Sequence, residues 1–105
     1  MEKYANKLQI PQFRGVFKRD KLPSNPCNVE RIIINLDSIF GPGTHWVAIK
    51  KNKNHAFYFD SYGDLPPPPE IVKYLGRRVF IKFNANNYQT FNTEICGQLC
   101  LAFLL

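Results

Sequence analysis

Four side chains of the types needed for acyl-transfer chemistry follow one another along this chain: His45, Asp60, Gln89 and Cys96. An imidazole, a carboxylate, a side-chain amide and a thiol are the base, orienting acid, oxyanion donor and nucleophile of a cysteine hydrolase. Cys96 stands directly before Gly97, and Gln89 precedes it by seven positions. His45 opens an apolar stretch, and Asp60 closes the next one.

Chemistry at these residues requires elements that bring them together. His45–Lys50 and Ala56–Asp60 read as two strands joined by a polar, turn-like segment, Lys51-Asn52-Lys53-Asn54. With Asn52-Lys53 as a two-residue turn, His45 falls directly opposite Asp60. Cross-strand partners share a face with Cβ atoms about 4.5–5.5 Å apart, close enough for a carboxylate to accept from an imidazole. A four-residue turn keeps this pairing; a three- or five-residue turn breaks it. Asn92 and Thr93 are good N-cap residues, and either one places Cys96 in the first turn of a helix running from Glu94 to Leu105. There the partial positive charge of the helix end stabilises a thiolate. Gly97 permits close backbone approach. The helix is apolar on all sides, the pattern of a buried element. Taken singly, a buried cysteine is inert packing, and that reading suits Cys27 and Cys100. Gln89 alone is a solvated loop glutamine; beside Cys96 it becomes a candidate oxyanion donor.

The rest of the chain supplies the scaffold. A short helix is expected within Met1–Pro11, a brief apolar patch at Phe13–Phe17, and a loop over Lys18–Asn28 set by Pro23, Asn25 and Pro26. Ile32-Ile33-Ile34 lies in a β-branched run, Val29–Leu36, typical of a buried strand. Pro66–Pro69 is a stiff connector, Glu70–Leu75 a short helix that stops at Gly76, Val79–Phe83 a strand with one exposed face, and Asn84–Thr93 a polar loop. The expected class is α+β: an antiparallel sheet packed on a buried helix that carries the nucleophile.

The 105 residues make one domain at most, with 45 % hydrophobic residues to fill a modest core. Fourteen basic against eight acidic residues leave a charge of +6, which favours polyanions such as nucleic acid. The basic residues come as pairs, Lys18-Arg19, Lys50-Lys51 and Arg77-Arg78, and not as a run. Arg77, Arg78 and Lys82 would cluster beside Lys50 and Lys51 if their strands are neighbours. Three irregularly spaced cysteines do not form a disulfide framework and fit a reducing, intracellular compartment. His45 and His55 offer no ligand pair at finger-like spacing, so neither a metal nor another cofactor is expected. The first residues lack the apolar core of a signal peptide, and no apolar stretch approaches the length of a membrane span.

The order His45, Asp60, Gln89, Cys96 resembles the adenovirus-type cysteine endopeptidases and the related ubiquitin-like-protein proteases. Gly43-Thr44-His45-Trp46 is similar to their Gly-x-His-Trp segment, and Tyr58–Gly63 to the strand end that bears their acid. Gln89 with Cys96-Gly97-x-x-Cys100 resembles their oxyanion and nucleophile block. Phe13-Arg14-Gly15-Val16-Phe17 resembles an N-terminal element of the adenoviral branch. The likeness runs from about Phe13 to Leu105. It implies a papain-like protease core with a Cys-His-Asp triad, cleavage after small residues at Gly-Gly or Gly-x sites of viral precursor proteins, and a location in the host nucleus or virion. It implies Trp46 and Gly97 as walls of a narrow substrate slot, although Trp46 reads equally as core packing. Further helices would follow Leu105, so residues 1–105 would be a protease domain truncated after the nucleophile helix. Where the adenoviral enzymes usually carry glutamate, this chain has Asp60, as in the ubiquitin-like-protein branch. Those enzymes link an activating peptide through a cysteine ahead of the glutamine. Arg77-Arg78-Val79 holds none, so no disulfide-linked peptide is expected.

Two other readings stay open. One is a protease that removes ubiquitin-like modifiers, with the same chemistry on a folded substrate. The other is a non-catalytic interaction or DNA-binding module.

Overall fold

The computed structural model describes residues 7–36, 45–60, 66–84 and 96–105, with the backbone alone for 96–98. Five strands form one sheet in sequence order: β1 Phe13–Lys18, β2 Val29–Asn35, β3 Trp46–Asn52, β4 His55–Phe59 and β5 Phe80–Phe83. It is flanked by α1 Pro69–Leu75 and α2 Cys96–Leu104.

The unbroken apolar runs of β2 and β3 follow from burial on both faces. Ile32, Ile33, Ile34, Val47, Ala48 and Ile49 are all fully buried. Ile32, Ile34, Val47 and Ile49, with Ala56 and Tyr58, pack with Ile71, Tyr74 and Leu75 of α1. Ile33, Ala48 and Phe59 point the other way and pack with Cys100, Leu101 and Leu104 of α2. The period-2 alternation thus divides each strand between two cores, in a helix–sheet–helix sandwich. On the outer side of α2, Ala102 is exposed. The helix is therefore a covering layer and is not enclosed on all sides.

The sheet is mixed, which corrects the antiparallel expectation. β2–β3–β4 are antiparallel, but β1 pairs with β2 and β4 with β5 in parallel. A parallel pair needs a crossover. For β4–β5 it is the proline connector plus α1, a strand–helix–strand order visible in the sequence. α1 starts with Pro69 in its first turn and ends at Gly76, whose φ of 92° suits glycine and whose N–H donates to Val72 O.

β1 is the apolar patch at Phe13–Phe17, drawn into the sheet as an edge strand. Its register slips between Phe13 and Gly15, leaving Arg14 as an extra residue. Arg14 Nη1 donates to Asn25 O at 2.8 Å and to Tyr74 Oη at 2.8 Å, and lies 3.4 Å from Glu30 Oε1. Glu30 is only 1 % exposed. Its carboxylate also accepts from Tyr74 Oη at 2.6 Å and from Cys27 N at 2.7 Å. A buried charge needs such partners, and here they join β1, β2, α1 and the 19–28 loop. Lys51 completes that corner: buried, it donates to Cys27 O at 2.8 Å. Cys27 itself is exposed, against the expectation of a packed thiol, because only its main chain is held by the network.

Candidate active site

The turn of the β3–β4 hairpin is Lys53-Asn54, one position later than the sequence implied: Asn52 pairs with His55 and Ala48 with Phe59. β3 is prolonged because β2 continues alongside it, with Val29 opposite Asn52 and Asn28 O accepting from Lys53 N at 2.6 Å. Lys53 takes φ 56°, a left-handed conformation uncommon for lysine. Extending this register by one step puts Val47, not His45, opposite Asp60. The direct cross-strand pairing of His45 with Asp60 is therefore corrected.

The two side chains nevertheless meet, because a shift of two positions keeps the same sheet face. His45 becomes the diagonal neighbour of Asp60, at about 7–8 Å between the backbones and within reach of longer side chains. His45 Nε2 lies 3.1 Å from Asp60 Oδ2, with the imidazole 20 % exposed and the carboxylate side chain 2 % exposed. An ionised carboxylate can only accept, and an imidazole that faces one through Nε2 donates there. The Asp60 charge is felt nearby: burial first, and then Asp60 and Cys100, raise the Tyr58 hydroxyl above the ordinary tyrosine range.

Both residues lie just past a strand end and are held by their main chains. His45 O accepts from Leu36 N at 2.9 Å, which continues the β2–β3 ladder. On the other flank, Asp60 N donates to Asn84 Oδ1 at 2.9 Å and Asn84 Nδ2 donates to Asp60 O at 2.7 Å. Asn84 was not foreseen as a site residue, since an asparagine after a strand reads simply as the start of a loop.

Trp46 is the first residue of β3, partly buried and packed against the α2-side core. Cys96 is the first residue of α2 as described, and Gly97 follows in the same turn; the position of the thiol is not described. Gln89 and the N-cap candidates Asn92 and Thr93 lie outside the described residues. At the other end of α2, Leu104 O accepts from Arg31 Nη1 at 2.6 Å. The Phe103 ring stacks on Phe59 at 4.8 Å and lies 4.7 Å from Lys50 Nζ.

The expected basic cluster takes a different form. Lys50 and Lys82 both pair with Phe57, from opposite sides of β4, so one strand separates them. Lys51 points to the opposite face and is buried. Among the described residues no group of three or more potential ligands could hold a metal ion, and no helix is long and apolar enough to cross a membrane.

No family model matches the chain. It is 32 % identical over 98 residues to the putative thiol protease R355 of Acanthamoeba polyphaga mimivirus, covering 82 % of this chain and 32 % of that protein. It is 36 % identical over 61 residues to the cysteine protease S273R of African swine fever virus (isolate Tick/Malawi/Lil 20-1/1983), covering 54 % of this chain and 22 % of that one. The SUMO-1 cysteine protease S273R of the Pretoriuskop isolate is 34 % identical over the same length. The chain thus spans between about a fifth and a third of the length of these relatives. In sequence, the chain is similar to cysteine proteases of viruses.

Proposed function

We propose that this chain carries the reaction centre of a cysteine endopeptidase of the adenovirus and ubiquitin-like-protease type, with Cys96 as nucleophile, His45 as base, Asp60 as orienting acid and Gln89 as oxyanion donor. The observation that carries the reading is the 3.1 Å contact between His45 Nε2 and the buried Asp60 carboxylate. In this reading Nδ1 is the ring nitrogen that exchanges a proton with the thiol.

The course of α2 supports Cys96 as that thiol. Its last turn is fixed over Arg31, Lys50 and Phe57, one row across three strands. Nine helical residues span about 12 Å. Four strand steps from Lys50 back to Trp46 span about 13 Å. A helix of this length, packed on the Ala48 side of the sheet, reaches the end at which His45 and Asp60 stand just past their strands.

In the reaction, Cys96 Sγ passes its proton to His45 Nδ1 and attacks the scissile carbonyl. Asp60 stabilises the imidazolium. The oxyanion is held by the Gln89 amide and main-chain N–H groups, and the leaving amine takes the proton from His45. Water, deprotonated by His45, then hydrolyses the thioester. The substrate is a precursor polypeptide cut after Gly-Gly or Gly-x, with Trp46 and Gly97 lining the slot.

A second reading is favoured by the relatives named as SUMO-1 proteases: removal of a ubiquitin-like modifier by the same chemistry. Diglycine peptides against modifier-fused substrates separate the two. Selective labelling of Cys96 by a thiol probe, lost in Cys96→Ala, supports an enzyme; equal labelling of Cys27 and Cys96 with no turnover of either substrate leaves a non-catalytic module.

A further inference from the structure

We propose that Asn84 is a positioning residue of the reaction centre, whose carboxamide holds the main chain of Asp60 so that the carboxylate stays on His45 Nε2. The inference rests on the reading that His45 and Asp60 serve a nucleophile, and it adds a residue that the motif spacing does not assign.

Asp60 is the first residue after β4 and is 1 % exposed. Its peptide groups are therefore cut off from water at the point where the ladder ends, and buried peptide groups need partners. Asn84 occupies the matching place, directly after β5, and is 9 % exposed. The parallel register runs up to Tyr58 opposite Phe83, so Asn84 lies one step beyond the last paired residue. A carboxamide copies a peptide group, with one oxygen to accept and an NH₂ to donate. Here Oδ1 takes the Asp60 N–H at 2.9 Å and Nδ2 reaches the Asp60 carbonyl at 2.7 Å. Only one orientation of the amide satisfies both bonds. Aspartate cannot donate, serine has a single hydroxyl for two groups, and glutamine is one methylene longer.

Two bonds on one residue restrict both dihedrals of Asp60 and hence the direction of its Cα–Cβ bond. His45 is held from the opposite flank through its carbonyl. The imidazole–carboxylate contact therefore spans two anchored strand ends, and slack in either one lengthens it. Small displacements of a reacting group can cost on the order of 10²-fold in rate.

The test compares Asn84→Ala and the isosteric Asn84→Asp with Asp60→Asn, and with Ile32→Ala as a core variant in β2, fully buried and paired with Ile49, four positions from His45. Two quantities are read. The first is kcat and KM on a diglycine peptide: both Asn84 variants should lose about 10- to 100-fold in kcat with KM changed less than twofold. The second is solvent exchange of the His45 ring N–H by NMR, which needs no turnover. It should quicken about tenfold or more in the Asn84 variants, as in Asp60→Asn, but not in Ile32→Ala. If Asn84→Ala does not fold, Asn84→Asp carries the same comparison. A folded Asn84 variant with wild-type exchange overturns the proposal, whatever its activity. Should the wild type turn over no peptide while its ring proton is still released by Asn84→Ala, the positioning stands and the protease reading falls.

Discussion

The Asp60 carboxylate is 2 % exposed and faces an imidazole at 3.1 Å, so at this residue burial is tied to pairing. A charge out of water is stable only with partners, and the His45 imidazole is one; the Asn84 carboxamide serves the buried main-chain groups of Asp60. Asp60→Asn keeps the shape but cannot stabilise an imidazolium. We expect turnover to fall by roughly 10³- to 10⁴-fold with the fold intact, read as kcat/KM alongside a circular dichroism spectrum. Cys96→Ala should abolish cleavage, whereas Cys27→Ser, at an exposed thiol outside the site, should leave it near wild type. Near-wild-type turnover by a folded Cys96→Ala protein would remove Cys96 as nucleophile. Cys100 is fully buried, and Cys100→Ser should lower stability by about 1–3 kcal/mol without touching the chemistry. Gln89→Ala should cost about 2.7–4 kcal/mol of transition-state stabilisation, seen as a kcat loss at nearly constant KM.

At the scale of elements, the corner formed by β1, β2 and α1 depends on Glu30, Tyr74 and Arg14. Tyr74→Phe removes a hydroxyl that donates to Glu30 and accepts from Arg14. It should destabilise the protein by about 1–3 kcal/mol in urea unfolding. The same group gives a pH dependence. Burial, and then the Glu30 carboxylate, raise the Tyr74 hydroxyl well above its ordinary value, and Tyr58 is raised too, chiefly by burial. A raised folded-state pKa means that the native protein holds the proton more tightly than the unfolded chain. The stabilisation is therefore full below about pH 10, the ordinary tyrosine value, and is lost as pH rises above it. Melting temperature should fall between about pH 10 and 12, more gently in Tyr74→Phe. An unchanged pH profile in that variant would exclude Tyr74 as a source. These elements were legible in outline: the β-branched run, the Gly76 stop and the apolar helix all stand where their residue types place them.

Over the whole molecule, the +6 charge overstates what is offered to a polyanion. Arg14 is drawn to Glu30, Arg19 to Glu70, Arg31 to the end of α2 and Lys51 into a buried corner. Lys50 and Lys82 stand two strands apart with Phe57 between them. We propose weak, sequence-independent DNA binding that neutralises about three phosphates. The logarithm of the binding constant should then fall against the logarithm of salt with a slope of roughly −2 to −3. No binding at low salt would leave DNA no part in the mechanism.

What the sequence determined by itself was local. Residue type and spacing marked His45, Asp60, Gln89 and Cys96, and hydrophobic period marked the strands and helices. The parity of the hairpin placed His45 and Asp60 on one face even though the turn was set one position early, since moving it changes the pairing by two and leaves the face alone. The tertiary structure decided what depends on residues distant in the chain. Pairing with β2 prolonged β3 and moved the turn, and the proline–helix crossover made β5 parallel. The edge of β2 recruited an apolar patch as a strand, and the end of β5 delivered Asn84 to Asp60. How far a strand runs depends on the neighbours it packs against more than on its own residues, and a contact across 24 positions leaves no period in the sequence to read.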